Sequence, residues 1–218
     1  MSALATPLAQ VVRPPAGDAQ GALVLLHGRG SDEHDLFGFL DLLDPGRRLV
    51  GITLGGPLAL PPGGRHWYAL GGIGTPERET FLASYALLAA ALDSLPETFG
   101  VDPARTILGG FSQGSVMAYA LGLGAGRPTP AGIIAMSGFL PAIDGWSLDL
   151  ASRGPVPVWI THGRHDAVIG VEWGRAANER LEEAGLGVTY VETDAAHHAD
   201  PRALAELPAW VDGVVPPS

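Results

Sequence analysis

The chain has 218 residues, 46% of them hydrophobic, and a formal charge of −10 in which all 13 basic residues are arginine. That length fits one folded unit over residues 1–218, and so acidic a surface excludes a general affinity for nucleic acid or anionic membranes, which are held through basic patches. With no cysteine, disulfides, thiolate metal sites and cysteine nucleophiles are excluded as well.

Residues 1–7 lack the basic start and long apolar core of a secretory signal. No apolar run approaches the ~18 residues of a membrane span. The longest, residues 81–95, is interrupted by Ser84, Tyr85, Asp93 and Ser94. The expectation is a cytoplasmic protein without stable membrane insertion.

In chain order, residues 9–12 predict a short first strand ended by the turn cluster 13–18. The unbroken apolar run 22–26 predicts a central strand buried on both faces. It stops at His27-Gly28-Arg29-Gly30-Ser31-Asp32, where Ser31 or Asp32 is placed to cap a helix carrying Leu36, Phe37, Leu40 and Leu43. Residues 49–54 predict the next strand. The stretch 55–76 has no periodicity but holds Trp67 and Tyr68, so an ordered loop lining a site is expected there. A helix over residues 76–99 leads to a strand at 106–108. Further strands are predicted at 132–136, 156–160 and 188–191, a helix at 172–184, and a closing helix opened by Pro201. Strands alternating with helices predict an α/β fold, a mostly parallel central sheet with helices on both faces. In such sheets the active site lies beyond the carboxyl ends of the strands.

The strand at 106–108 runs into Gly109-Gly110-Phe111-Ser112-Gln113-Gly114. Gly110-x-Ser112-x-Gly114 between a strand and a helix fits a nucleophile elbow, a turn so sharp that side chains at 110 and 114 would collide with the neighbouring strand or the helix. A serine hydroxyl attacks only when a base removes its proton, and that base needs a carboxylate to orient it. Behind a nucleophile elbow the triad runs in chain order serine, carboxylate, histidine, and Asp166 is the carboxylate best placed at a strand end. Asp144 and Asp149 follow no strand, and Asp194 and Asp200 lie too close to the histidines. Two adjacent histidines, His197 and His198, follow the last strand; only one of them can be the base, because neighbouring side chains point in different directions. Two backbone N–H groups, those of Arg29 and Gln113, are expected to form the oxyanion hole.

The pieces Leu26-His27-Gly28-Arg29-Gly30, Gly110-Phe111-Ser112-Gln113-Gly114, Ser137-Gly138-Phe139-Leu140-Pro141, His162-Gly163-x-x-Asp166-x-Val168 and a terminal histidine before a helix stand in that order over residues 22–212. The chain resembles the phospholipase/carboxylesterase family of α/β-hydrolases, which includes acyl-protein thioesterases. The resemblance implies a serine esterase or thioesterase with no cofactor and no metal, a small-molecule or lipid ester or thioester as substrate, and membership of a family that often forms homodimers. It also implies His197 as the base, because Pro201 and Trp210 stand where the family's final helix begins and anchors. The family commonly has glycine before that histidine, where this chain has Ala195-Ala196.

Trp67, Tyr68, Phe111, Phe139, Leu140, Val168 and Ile169 fall in site-facing loops and are expected to wall the acyl pocket. Arg29, Arg65, Arg164 and His66 are placed to meet an acidic group on the substrate. Three other readings compete: an acyltransferase or perhydrolase on the same triad, a metal hydrolase built on His162-x-x-His165-Asp166 with His197-His198, and a non-catalytic binding protein. The histidine spacing matches neither H-E-x-x-H nor H-x-x-E-H.

Overall fold

The apolar runs of the sequence become the middle of a seven-stranded sheet. The computed structural model describes residues 2–72 and 74–217; Met1, Ser218 and Ile73, which belongs to the loop expected over residues 55–76, lie outside the described residues. The strands in chain order are β1 (Gln10–Arg13), β2 (Ala22–Leu26), β3 (Val50–Leu54), β4 (Leu58–Ala59), β5 (Arg65–His66), β6 (Thr106–Phe111), β7 (Gly132–Met136), β8 (Pro157–Gly163) and β9 (Gly187–Thr193). The main sheet has the order β1-β3-β2-β6-β7-β8-β9, and β4 pairs with β5 in a separate hairpin. Every pairing in the main sheet is parallel except that of β1 with β3. The chain builds outward from β2 to β3, then returns to lay β6 on the other side of β2. That reversal opens a crevice at the carboxyl ends of β2 and β6, where ligands of such sheets bind.

The helices are α1 (Phe37–Leu43), α2 (Arg78–Asp93), α3 (Leu95–Phe99), α4 (Gln113–Leu123), α5 (Val171–Glu183) and α6 (Leu207–Val214). Because side chains alternate along a strand, β2 feeds two cores. Ala22, Val24 and Leu26 pack in the cluster of Phe81, Leu88, Leu95, Val116 and Leu181, contributed by α2, α3, α4 and α5. Leu23 and Leu25 pack in the cluster of Leu40, Leu43, Leu207 and Val211, contributed by α1 and α6. All residues of α4 are buried, since the helix is covered by β6 and β7 below and α2 above. A helix enclosed on every side needs no polar stripe. Among the described residues, no helix is long and apolar enough to cross a membrane.

Several boundaries differ from expectation for local reasons. The helix expected over residues 76–99 is two helices that meet at Ser94, where Pro96 starts a new turn and Ser94 Oγ donates back to Ala91 O (2.7 Å). The first of them is capped by Glu77, whose carboxylate accepts from the N–H of Glu79 and Thr80 (2.9 Å each). Neither Ser31 nor Asp32 caps α1: Asp32 accepts from His34 N (2.9 Å) in a turn, and α1 begins later, after Leu36. The segment opened by Pro201 is a 3-10 turn, Pro201–Leu204, before α6. Within the loop expected over residues 55–76, the β4–β5 hairpin and a bridge between Leu70 and Pro76 supply the order.

Candidate active site

Ser112 is the single residue between β6 and α4, and its backbone is left-handed (φ 53°, ψ −118°). A non-glycine residue held there costs of order 1–3 kcal/mol and persists only where its surroundings fix it. Ser112 N donates to Met136 O (2.8 Å), and Ser115 N donates to Ser112 O (3.0 Å). The flanking glycines are steric requirements. A Cβ on Gly110 would lie 2.3 Å from Gly114 C, and one on Gly114 would lie 1.9 Å from Leu26 O. Those contacts match the expected collisions, Gly110 with the helix and Gly114 with the neighbouring strand.

The turn brings Ser112 Oγ to 3.0 Å from His197 Nε2. His197 Nδ1 lies 2.6 Å from Asp166 Oδ2. The other carboxylate oxygen, Asp166 Oδ1, accepts from the N–H of Val168 (2.9 Å) and Ile169 (2.8 Å). With Nδ1 donating to the carboxylate, Nε2 is left to accept from the serine hydroxyl. His198 is exposed, and among the described residues its side chain joins neither Ser112 nor Asp166. Gly163, at the end of β8, has Ala195 O where a Cβ would stand (2.4 Å), and Arg164 N and His165 N donate to Thr193 O and Ala195 O. The loops carrying Asp166 and His197 are thereby stitched together.

Two buried histidines support the site: His27, given no role of its own in the sequence, and His162, considered there only as a metal ligand. His162 Nε2 bonds Ile169 O (2.8 Å) and lies 3.6 Å from Asp166 Oδ2, so it holds the turn that presents the carboxylate. Its ring is pressed against α5, where a Cβ on Gly174 would stand 2.5 Å from Nδ1. His27 accepts from Gly56 N at Nε2 (2.9 Å) and bonds Gly28 O through Nδ1 (2.7 Å). Burial pushes its titration below the ordinary histidine value, although Gly28 O and nearby carboxylates pull the other way. The neutral ring therefore braces the backbone around Arg29. The signal for both was visible as a histidine at a strand end, but what each would bond was not.

Among the described residues, the backbone N–H groups of Arg29 and Gln113 donate to no other protein atom. Both residues line a cavity of about 520 Å³ together with Ser112 and His197, a volume in the usual range for small-molecule sites. Tyr68, Phe139, Val168 and Ile169 line it, and Leu70 and Gly72 from the 55–76 loop join them. Burial raises the Tyr68 hydroxyl's titration, so it stays protonated. Trp67, Phe111 and Leu140 do not line the cavity. Trp67 is fully buried, its indole N–H donating to His27 O (2.8 Å), because a large ring beside β2 is better covered by the core. Phe111 stacks obliquely on His197 (4.9 Å between centroids). Leu140 packs against the main core instead. The Gln113 side chain bonds both aromatics' backbones, accepting from Trp67 N (3.0 Å) and donating to Tyr68 O (2.9 Å).

A second cleft, about 730 Å³, opens at the opposite end of the sheet and includes Arg48 and Arg105. Its arginines are already committed, Arg47, which also lines it, to Asp41, Arg48 to Gln20, Asp212 and Val215 O, and Arg105 to Gln20 O. Among the described residues, no group of three or more His, Asp or Glu is arranged to hold a metal ion.

The comparisons agree with this architecture. Esterase PE8 superposes with a TM-score of 0.82 at 26% identity, covering 95% of this chain and 99% of that one. The carboxylesterase of Bacillus cereus superposes at 0.83 with 20% identity and 95% coverage of both, a likeness of fold. Acyl-protein thioesterase 1 of Candida albicans is 24% identical over 94% of this chain and 97% of its own length. Acyl-protein thioesterase 1 of Emericella nidulans is 30% identical over 122 residues, and the chain spans about half of it (51%). Residues 8–213 match the phospholipase/carboxylesterase family, and the chain belongs to that family of α/β-fold hydrolases.

Proposed function

We propose that this enzyme cleaves carboxylic esters or thioesters through an acyl-Ser112 intermediate. The observation that carries the reading is the unbroken chain of hydrogen bonds from Ser112 Oγ through His197 to Asp166. As Ser112 Oγ attacks the carbonyl carbon, His197 Nε2 takes its proton, and Asp166 offsets the charge on the ring. The carbonyl oxygen becomes an oxyanion facing the N–H groups of Arg29 and Gln113, each such donor being worth about 3 kcal/mol of barrier. His197 then gives its proton to the departing alkoxide or thiolate. Water, deprotonated by the same nitrogen, attacks the acyl-serine and restores the hydroxyl. The thioester arm is supported by the thioesterases among the chain's relatives, and the apolar cavity walls support an acyl chain as the group they receive.

The test is turnover of p-nitrophenyl acetate, butyrate and octanoate by the wild type and by Ser112→Ala, with EDTA throughout. Turnover by the wild type and its loss in the variant are expected. Each methylene that enters the cavity should raise kcat/KM about fourfold, from ~0.8 kcal/mol per buried CH2, until the cavity is full. Equal rates in the two proteins would sink the serine mechanism.

A further inference from the structure

Four side chains near the carboxyl ends of the strands are able to meet an acidic group, and three are already engaged. Arg65 donates from Nη1 to Gly56 O (3.1 Å), and its Nε lies 3.8 Å from Glu33. Arg164 is held by Asp194 (2.6 Å) and Glu192 (3.2 Å). His66 bonds Tyr68 O through Nδ1 (3.1 Å). Arg29 is different. It is exposed, it lines the same cavity as Ser112 and His197, and among the described residues no carboxylate lies within ion-pair distance of its guanidinium.

The main chain beneath Arg29 is fixed while its side chain is free. Gly30 N donates to Arg65 O (2.8 Å), Arg65 N to Ser31 O (2.7 Å) and Ser31 N to Gly28 O (3.3 Å). The guanidinium is thus tethered to the residue whose N–H is proposed to meet the scissile carbonyl, and Leu70, Phe139 and Val168 line the same cavity. Arg29 is the one permanently charged side chain among the described lining residues. A protein of net charge −10 repels anions at a distance, and an unpaired guanidinium among apolar lining residues supplies a positive charge beside the reacting groups. Its planar fork of donors matches a carboxylate or phosphate.

Resting on the hydrolase reading of Ser112, we propose that Arg29 is a specificity residue that selects esters or thioesters carrying an anionic group, a carboxylate or phosphate, over neutral ones of the same length. The anion can sit on the acyl chain or on the leaving group, and two substrate pairs separate these sources. The first pair is the p-nitrophenyl half-ester of adipic acid against p-nitrophenyl hexanoate. The second is 4-butanoyloxybenzoate against 4-butanoyloxybenzamide.

The readout is the anionic-to-neutral ratio of kcat/KM on each protein, so that changes common to both substrates cancel. Arg29→Gln should lower that ratio about fivefold in one of the pairs, the scale of an exposed ion pair. Arg29→Lys should keep most of it, and Arg29→Glu should lower it further. An unchanged ratio in both pairs for Arg29→Gln and Arg29→Glu would overturn the proposal while leaving the hydrolase reading intact. Wild-type failure on the neutral esters as well would bring down the hydrolase reading itself. Should Arg29→Gln lose all turnover, competitive inhibition of the wild type decides: adipamate must inhibit more strongly than hexanamide, or 4-hydroxybenzoate more strongly than 4-hydroxybenzamide, and equal inhibition within both pairs overturns the proposal.

Discussion

Asp166→Asn keeps the size of a side chain and reverses one hydrogen bond. The N–H groups of Val168 and Ile169, at 2.9 and 2.8 Å from Oδ1, require an acceptor, so the new amide oxygen takes that position. Its nitrogen then occupies the Oδ2 position, 2.6 Å from His197 Nδ1, and donates where the carboxylate accepted. His197 must answer by moving its proton to Nε2, the atom 3.0 Å from Ser112 Oγ. A protonated Nε2 has no lone pair for the serine proton. The expected loss in kcat is about 10⁴-fold, or ~5.4 kcal/mol at about 1.36 kcal/mol per decade. The turn at residues 166–169 keeps its bonds, so the melting temperature should move by no more than a few degrees. Initial rates on p-nitrophenyl butyrate, read beside a thermal melt, make the measurement. Activity above about a tenth of wild type in a folded variant would refute the assignment of Asp166 as the group that orients His197.

Three further outcomes follow from other parts of the molecule. Gly174→Ala places a Cβ 2.5 Å from His162 Nδ1, displacing the ring that holds Ile169 O; kcat should fall roughly 10²-fold, the scale of an ångström's misplacement, and an unchanged kcat would break the link from α5 to Asp166. His27 is kept neutral by burial, its titration lowered from 6.5, so below that value the unfolded chain binds a proton that the folded chain refuses. Its contribution is complete above 6.5 and is lost progressively as pH falls from there through the lower folded value, which urea midpoints measured over that range should show and His27→Gln should flatten. Arg13 and Asp44 form an ion pair (2.5 Å) with side chains only 3% and 1% exposed. Arg13→Met leaves Asp44 buried without its cation and should cost about 3–5 kcal/mol in urea unfolding; a cost below about 1 kcal/mol would contradict that reading.

What the sequence made legible was whatever burial writes into composition. The runs at residues 22–26 and 132–136 are apolar throughout because both faces of those strands are covered, and their bounds were read without error. Gly110 and Gly114 were readable because only glycine fits where backbones touch. The apolar spacing that continues into α3 hides the break at Ser94, although Pro96 two residues on marks it in the sequence. Trp67 misled because aromatic content marks an ordered loop without telling which way a ring turns; here it turns inward onto His27. Leu70 lines the cavity through the hairpin and bridge that order its loop, pairings between residues that carry no periodic signal. His162 lay in a recognised motif, yet its grip on Ile169 O depends on α5 packing above it, a contact made only in three dimensions.

The Gln113 clamp has a consequence for how such an enzyme can diversify. One side chain grips the backbone of Trp67 and Tyr68, while the same residue's N–H is the donor proposed for the oxyanion. Remodelling the cavity floor at Tyr68 therefore disturbs the rate machinery along with the fit. Leu70 and Val168 stand outside that linkage at the rim, 61% and 55% exposed, and their side chains can be exchanged without pulling on Gln113. On the proposed mechanism, substrate preference is modular at the entrance and locked at the base, so new specificities have an open route at positions 70 and 168 and a costly one at 68.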